Sequence, residues 1–499
     1  MRSANSFKNL FVSVVAQIIT LLVSFVSRTI FVKVLTTEYL GLSGLFSNIL
    51  SVLSLSELGI GNAIIINLYK PLAEKDEIAV SKYMNFYAKA YRLIGILILI
   101  FGFISTPFLQ YIVKTDDSIP NLRLIYFLFV LNSAVSYFFA SKRTIFTVDQ
   151  KEYVNTINRN MFLLVQNLIQ IIVLMLTQSY IMYICIMVLC TFSSNLHISI
   201  LADKQYPYLR NKQVALNKIE IKDLTKSMKA IMLHKVGNVL INSTDNLIIS
   251  MMLGVYWVGM YSNYSMVVGM VTTFALIVFA ACSASIGNIN AVESSEKVYS
   301  VFRTMTFLSL WIYGFCSISF VCLFQPFITV WIGNDYLLDM TTVIVIVIAF
   351  FLKGIIGVTS TFLDVTKLFL NTRWVPLLTA TINLAVSVLA VAYFGLAGVF
   401  GGTIVSYLLT MVWINPFMLY KSGFNKKFRE YIGFIVPRII LIFIAGFITY
   451  FLTIHVDYFV VQILICIVVP NMIMLITWGN TSEFKYISNI IRNLLGHKH

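Results

Sequence analysis

Apolar runs of about 20 residues recur along the whole 499-residue chain, and they constrain its fold more than any other feature. A run of this length crosses the hydrocarbon core of a bilayer as a helix, because a helix satisfies its own backbone hydrogen bonds there. Only 11% of the residues are charged, whereas soluble domains carry about a quarter. The sequence therefore predicts an all-α, polytopic membrane protein with about 14 transmembrane helices. The predicted spans are 10–34, 42–66, 84–106, 122–142, 157–177, 180–202, 229–253, 258–290, 304–330, 340–363, 375–395, 397–420, 432–454 and 457–478.

The loops between these spans alternate in charge. With the N-terminus inside, 29 of the 36 Lys and Arg residues lie in or beside the cytoplasmic segments, and only three lie in outer segments. This is the positive-inside pattern, so both termini are predicted to be cytoplasmic. The net charge of +15 then reflects membrane orientation, and we expect no nucleic-acid partner. The cysteines and histidines lack metal-ligand spacing and no nucleotide-binding loop is present, so we expect no metal, no cofactor and no enzymatic activity.

The two halves of the chain resemble each other. Segment 35–42 aligns with segment 253–260 at an offset of 218, and Ile60-Gly61-Asn62 resembles Ile286-Gly287-Asn288 at an offset of 226. Both halves start with the same orientation, which indicates a parallel repeat about an axis along the membrane normal. The predicted division is an N-terminal lobe (1–203, spans 1–6), a basic cytoplasmic linker (204–228), a C-terminal lobe (229–420, spans 7–12) and a final helix pair with a tail (421–499).

Polar residues line one face of each of the first two spans, while the other faces are apolar. The first stripe ends at Ser27 and Arg28, and the second includes Ser43, Ser47 and Glu57. Such stripes suit a bundle with a water-filled interior. Small polar residues also line ordinary helix contacts, and that alternative stays open.

Five charged residues within or beside the spans are functional candidates, because charge at membrane depth is costly. The cations are Arg28, Lys235 and Lys353, and the carboxylates are Glu57 and Asp245. Arg28 and Asp245 lie at similar depth towards the outside, Glu57 and Lys235 lie nearer the cytoplasm, and Lys353 is close to mid-span. We expect the two pairs to act as alternating gates. Lys353 belongs to neither pair, and the alternative for it is that its side chain snorkels to the membrane surface. Candidate sugar contacts, for which helix packing is the alternative role, are Tyr261, Asn263, Tyr264 and Asn242.

Several short motifs resemble one family. They are Ser27-Arg28, Tyr39-Leu-Gly-Leu-Ser-Gly-Leu-Phe46, Glu57-Leu-Gly-Ile-Gly61, Leu68-Tyr-Lys-Pro71, Asp149-Gln150 and Thr244-Asp245-Asn246. In spans 1–12 the chain resembles Wzx-type flippases, which move lipid-linked polysaccharide repeat units for O-antigen or capsule. The resemblance implies the multidrug/oligosaccharidyl-lipid/polysaccharide exporter fold, with two pseudo-symmetric six-helix lobes in a V around a central cavity. Many members of the family have twelve spans, whereas the fourteen predicted here resemble the number in the related lipid II flippases. The role of the last two spans therefore stays open.

The expected function is therefore transport of a polyprenyl-pyrophosphate-linked oligosaccharide across a bacterial cell membrane by alternating access. Arg28, Lys235 and Lys353 would bind the pyrophosphate, and Glu57 or Asp245 would carry a coupling H⁺ or Na⁺. Expected partners are the lipid-linked oligosaccharide, membrane lipid and the polysaccharide polymerase machinery. An exporter of drugs or small cations with the same fold is one alternative, although its cavity should be acidic. A membrane glycan polymerase or ligase is another, although such enzymes commonly carry a large outer loop.

Overall fold

The computed structural model describes residues 2–57, 60–115, 119–211, 214–292, 295–366 and 368–494, and the regular elements in these ranges are all helical. The all-α polytopic class predicted from the apolar runs is therefore confirmed. The α-helices of the first half are α1 (Arg2–Val34), α2 (Thr37–Leu53), α3 (Ile60–Ala73), α4 (Glu77–Ser105), α5 (Leu109–Ile112), α6 (Leu122–Phe138), α7 (Arg143–Val148), α8 (Glu152–Thr177) and α9 (Tyr180–Gln205). Those of the second half are α10 (Lys218–Met252), α11 (Val255–Val292), α12 (Ser295–Trp331), α13 (Met340–Val365), α14 (Val375–Leu409), α15 (Met411–Met418), α16 (Phe428–Ile454), α17 (Phe459–Trp478) and α18 (Ser482–Leu494).

Nine helical segments within the described ranges are long and apolar enough to cross a membrane, and the bent pair α6–α7 makes a tenth. The broken pair α2–α3 and the long helices α10 and α11 account for three more of the predicted spans. The segment Val375–Gly423, counted once among the nine, holds two arms of a hairpin. The described helices thus accommodate the fourteen predicted spans.

The second predicted span, 42–66, is not one continuous helix. The α-helix α2 ends at Leu53, a 3₁₀ turn covers Ser54–Glu57, and α3 begins at Ile60. The hydroxyl groups of Ser47, Ser51 and Ser54 donate to the carbonyl oxygens four residues before them. Such bonds compete with the backbone ladder and bend helices. The break places Glu57 on an irregular turn within the predicted span.

The hairpin within α14 turns at Gly395, whose φ of 54° and ψ of −135° suit glycine alone. Its arms pack closely, because the Ser387 hydroxyl donates to the Val399 carbonyl at 2.9 Å. The Asn383 amide donates to the Thr403 hydroxyl at 2.8 Å. The turn falls between the predicted spans 375–395 and 397–420, so the sequence located this reversal correctly.

By packing, the described chain divides into two compact units, Met1–Ser262 and Asn263–His499. This boundary lies within α11, so α10 and the start of α11 belong to the first unit. The predicted lobes divide instead at the linker 204–228 and follow the repeat, and they stay a prediction.

The final helix pair is an integral part of the second unit. Both α16 and α17 pack against α12. The Trp311 indole donates to Asn471 at 2.9 Å, and Glu483 at the start of α18 is buried. Its carboxylate lies 2.8 Å from the Arg303 guanidinium and 3.8 Å from that of Arg438. An ion triad therefore fixes α18 to α12 and α16.

Candidate functional site

The starts of α2 and α11 cross at close range in the first unit. A Cβ atom added to Gly41 would lie 2.0 Å from the carbonyl oxygen of Val255, and one added to Gly259 would lie 2.2 Å from that of Thr37. The two contacts are reciprocal at the repeat offset of 218, because Gly41 corresponds to Gly259 and Thr37 to Val255. The crossing therefore has the self-complementary form that a pseudo-two-fold axis requires.

A second reciprocal pair of contacts lies one turn further along the same helices. A Cβ at Gly44 would lie 3.5 Å from the Asn246 amide nitrogen. At the same offset Gly44 corresponds to Ser262 and Asn246 to Arg28, and the Arg28 guanidinium donates to both the carbonyl and the hydroxyl of Ser262 at 3.0 Å. Arg28 thus lies at the crossing, at the end of the helices that the loop charges predict to face outwards.

The segment after α5 reinforces this crossing. The Val255 amide donates to the Lys114 carbonyl at 2.8 Å, and the Lys114 ammonium donates to the Met252 carbonyl at 3.2 Å. Two residues earlier in each segment, the Ser250 hydroxyl donates to the Ile112 carbonyl at 2.7 Å. These bonds and the glycine contacts join α2, α10 and α11 at their predicted outer end, and we call this set of contacts the outer crossing.

Both hydrogen bonds described for the Arg28 guanidinium go to Ser262. The predicted approach of Arg28 to Asp245 stays a prediction. Asp245 is half-buried on α10. The side chains of Lys235 and Asn242, on the same helix, lie outside the described part of the structure. The predicted pairing of Glu57 with Lys235 is accordingly also a prediction still.

Glu57 has two tyrosine partners that the sequence pattern did not identify. The Tyr91 hydroxyl, from α4, donates to one carboxylate oxygen, and the Tyr137 hydroxyl, from α6, donates to the other at 2.6 Å. The Tyr87 ring packs on Tyr91 with centroids 4.2 Å apart, and Tyr91 meets Tyr137 edge to face at 5.3 Å. A carboxylate at a helix break is thus held by aromatic hydroxyls from two neighbouring helices.

Only part of this site had a signal in the sequence. Tyr87 and Tyr91 are four residues apart and so share a face of α4, a spacing that indicates a joint role. Tyr137 has no such companion, and its place beside Glu57 depends on how α6 packs against α4. Tertiary packing, rather than periodicity, completes the cluster.

Lys353 lies at the middle of α13 in the second unit, and its side chain is exposed. The same helix face carries Gly357, Thr361 and Asp364, so it presents no apolar side chain over three turns. A lipid-facing surface would be apolar at this depth, as the exposed faces of α16 and α17 are. The exposed face of α13 therefore suits a water-filled space.

The predicted sugar contacts differ in exposure. Tyr261 is half-exposed, whereas Asn263 and Tyr264 are fully buried. The Tyr264 hydroxyl accepts a hydrogen bond from the Leu338 amide at 3.0 Å and lies 3.5 Å from the Gln325 side chain. Tyr264 thus fixes the segment before α13. Both side chains are buried in this conformation, and their role as sugar contacts stays a prediction.

Comparison with known proteins gives one family match and several similar folds. The family described as "Polysaccharide biosynthesis protein" matches residues 6–284. Comparison with curated proteins by sequence finds no match. The fold is similar to "Lipid II flippase MurJ, inward closed conformation", with a TM-score of 0.63 at 13% identity over 94% of this chain and 99% of that one.

Multidrug transporters share the fold as well. An inward-facing MATE family transporter of the MOP superfamily has a TM-score of 0.63 at 13% identity, over 81% of this chain and 97% of that one. The MATE multidrug transporter DinF-BH has a TM-score of 0.60 at 16% identity, over 84% and 97% of the two chains. The flippase–transporter fold expected from the motifs is therefore confirmed.

Proposed function

This chain belongs to the polysaccharide biosynthesis protein family, and from that premise we propose that it flips a polyprenyl-pyrophosphate-linked oligosaccharide from the cytoplasmic to the outer leaflet. The transported unit is a repeat unit of a capsule or O-antigen type polysaccharide, and the protein acts in the bacterial cell membrane with both termini in the cytoplasm. It is a transporter and not an enzyme. Polymerase machinery at the outer face consumes its product.

The observation that carries this proposal is the exposed Lys353 residue at the middle of α13. A pyrophosphate that crosses the bilayer centre needs cations and donors, because hydrocarbon does not solvate its charge. The polar face around Lys353 meets that need at mid-depth, and Arg28 and Lys235 supply charge at other depths. The polyprenyl tail stays in lipid.

Alternating access gives the outer crossing a role as the outer gate. In this conformation Arg28 is bound to Ser262, and the glycine contacts keep α2 against α11. Opening the gate breaks both sets of contacts and releases the Arg28 guanidinium towards the substrate. A packed interface with two discrete arrangements is the kind of element that such transitions use.

Glu57 is the proposed coupling group, with Asp245 as the second carboxylate. The tyrosine hydroxyls hold the Glu57 carboxylate on a broken helix, and discontinuous helices form the ion sites of many transporters. An inward-moving H⁺ or Na⁺ bound there would compete with these hydrogen bonds. Cation binding would thereby be linked to repacking of the turn at Glu57 against α4 and α6.

Substitution of Lys353 tests the proposal in cells that depend on this protein for surface polysaccharide. We expect Lys353→Ala to abolish surface polysaccharide and to leave the lipid-linked repeat unit in the membrane, while Lys353→Arg keeps partial export. The control is Lys427→Ala, which removes an exposed cation just before α16. Normal export by Lys353→Ala at wild-type protein level would show that the pyrophosphate is bound elsewhere. Loss of drug efflux without loss of polysaccharide would favour the multidrug-exporter alternative.

A further inference from the structure

A pocket of about 330 Å³ opens between α4, the end of α6 and α9 in the first unit. Lys89, Arg92, Lys142 and Asp203 supply its charged groups, and Ser141 and Ser199 add hydroxyl groups. The loop charges predict that this end of the helices faces the cytoplasm. No step of the proposed transport cycle uses these residues.

The pocket carries an excess of positive charge. The Lys142 ammonium forms an ion pair with the Asp203 carboxylate, so these two groups neutralise each other. Lys89 and Arg92 are exposed, and no carboxylate in the described part of the structure lies within 4.0 Å of either one. Three residues apart on α4, they share one face of the helix. Two cations therefore remain available to an anion in the pocket.

The same face of α4 becomes apolar immediately beyond these cations. Leu93, Ile96, Ile100 and Phe103 follow at helical spacing, and between 47% and 71% of each side chain is exposed. On α9, exposed Leu189 and Ile200 continue the apolar surface beside the pocket. Exposed apolar residues on a membrane helix face acyl chains. The change from charge to hydrocarbon at Arg92 thus marks the depth of lipid headgroups.

We propose that this pocket is a binding site for an anionic phospholipid of the cytoplasmic leaflet. The headgroup phosphate binds Lys89 and Arg92, with the Ser141 and Ser199 hydroxyls as further donors, and the acyl chains lie along the exposed face of α4. Basic pockets between transmembrane helices on the cytoplasmic side are suited to such headgroups. A phospholipid, rather than the transported polyprenyl lipid, is the occupant, because a pocket of about 330 Å³ has room for a phosphate headgroup and not for an oligosaccharide.

Titration of the purified full-length protein with dioleoylphosphatidylglycerol, followed by native mass spectrometry, tests this site. Each cation near an anionic headgroup strengthens binding about fivefold, so Lys89→Gln with Arg92→Gln should weaken binding roughly 30-fold. The swap Lys89→Arg with Arg92→Lys should keep most of the affinity. The matched control, Lys427→Gln with Arg429→Gln, removes the same two charge types from exposed positions and should change affinity less than twofold.

Three outcomes would overturn the proposal. Equal loss of phosphatidylglycerol binding in the pocket and control variants would mean that the pocket charges act only through the net positive charge of the protein and form no specific site. If undecaprenyl diphosphate displaces phosphatidylglycerol from the wild type but not from the pocket variant, the pocket belongs to the transported lipid. Zwitterionic dioleoylphosphatidylcholine should bind wild type and pocket variant alike, and a 30-fold difference with that lipid would contradict a charge-based site.

Discussion

Substitution of the reciprocal glycines at the outer crossing should favour the outward-open state. An alanine Cβ at Gly259 would lie 2.2 Å from a backbone oxygen, whereas ordinary contacts begin at 3.4 Å. Helices α2 and α11 must therefore separate by more than about 1 Å. Overpacking of this kind costs about 1–3 kcal/mol, which corresponds to a population change of roughly 5- to 150-fold.

The assay uses a single cysteine at Ser47, which is exposed on the polar face of α2 beyond the crossing. Labelling by a membrane-impermeant maleimide from outside should be slow in the wild type, because the crossing closes the route. Gly41→Ala or Gly259→Ala should accelerate labelling at least fivefold. The double variant should give less than the product of the two effects, since both act on one crossing.

Two glycines provide the controls: Gly269 has no close neighbour, and Gly44 lies at the crossing but has room for a Cβ atom. A Cβ at Gly269, also on α11, meets no atom within 4 Å, and one at Gly44 on α2 meets its nearest atom at 3.4 Å. Gly269→Ala and Gly44→Ala should leave the labelling rate within about twofold of wild type while changing helix propensity equally. If all four variants label alike, the outer crossing is not a gate and the reasoning fails.

Three further predictions concern other parts of the chain. Tyr137→Phe removes one hydrogen bond to Glu57 and should shift the pH dependence of transport. Tyr126→Phe removes a hydroxyl bonded to Ser105 and should leave the pH dependence unchanged. Transport by proteoliposomes across a pH series would show whether the two variants differ. Glu483→Gln should lower the unfolding free energy by about 2–4 kcal/mol, because two guanidinium groups lose a buried partner. Glu296→Gln, at an exposed ion pair, should change it by less than about 1 kcal/mol. Equal thermal shifts in the two variants would refute the role of the triad. Single cysteines in the predicted cytoplasmic and outer loops should label from opposite sides of the membrane, and same-sided labelling would contradict the fourteen-span topology.

Most of the fold could be predicted because hydrocarbon imposes simple rules on sequence. A span needs about 20 apolar residues, so the runs located the helices, and the reversal at Gly395 fell between two of them. The break before α3 was missed, because Ser47, Ser51 and Ser54 look like an ordinary polar stripe. Their effect depends on hydroxyl bonds to the backbone, which hydropathy does not record.

The candidate site was less predictable, since its parts come from separate helices. Arg28 stood out as a charge within an apolar helix, but its partner Ser262 lies 234 positions away. Tyr137 reaches Glu57 from α6 in the same way, 80 positions along the chain. The repeat offset of 218 relates two contacts at the crossing, because Gly44 with Asn246 and Ser262 with Arg28 occupy equivalent positions in the two halves. An internal repeat therefore connects contacts that the pattern of a single helix does not.

Movement of a fluorescent polyprenyl-diphosphate oligosaccharide between the leaflets of proteoliposomes tests the central claim most directly. The purified protein should bring the labelled lipid to the outer leaflet, where an added glycosidase cleaves its sugar, at a rate that an inward cation gradient increases. Lys353→Ala should lower this rate to that of protein-free vesicles. Equal glycosidase access with wild type, with Lys353→Ala and without protein would contradict the account.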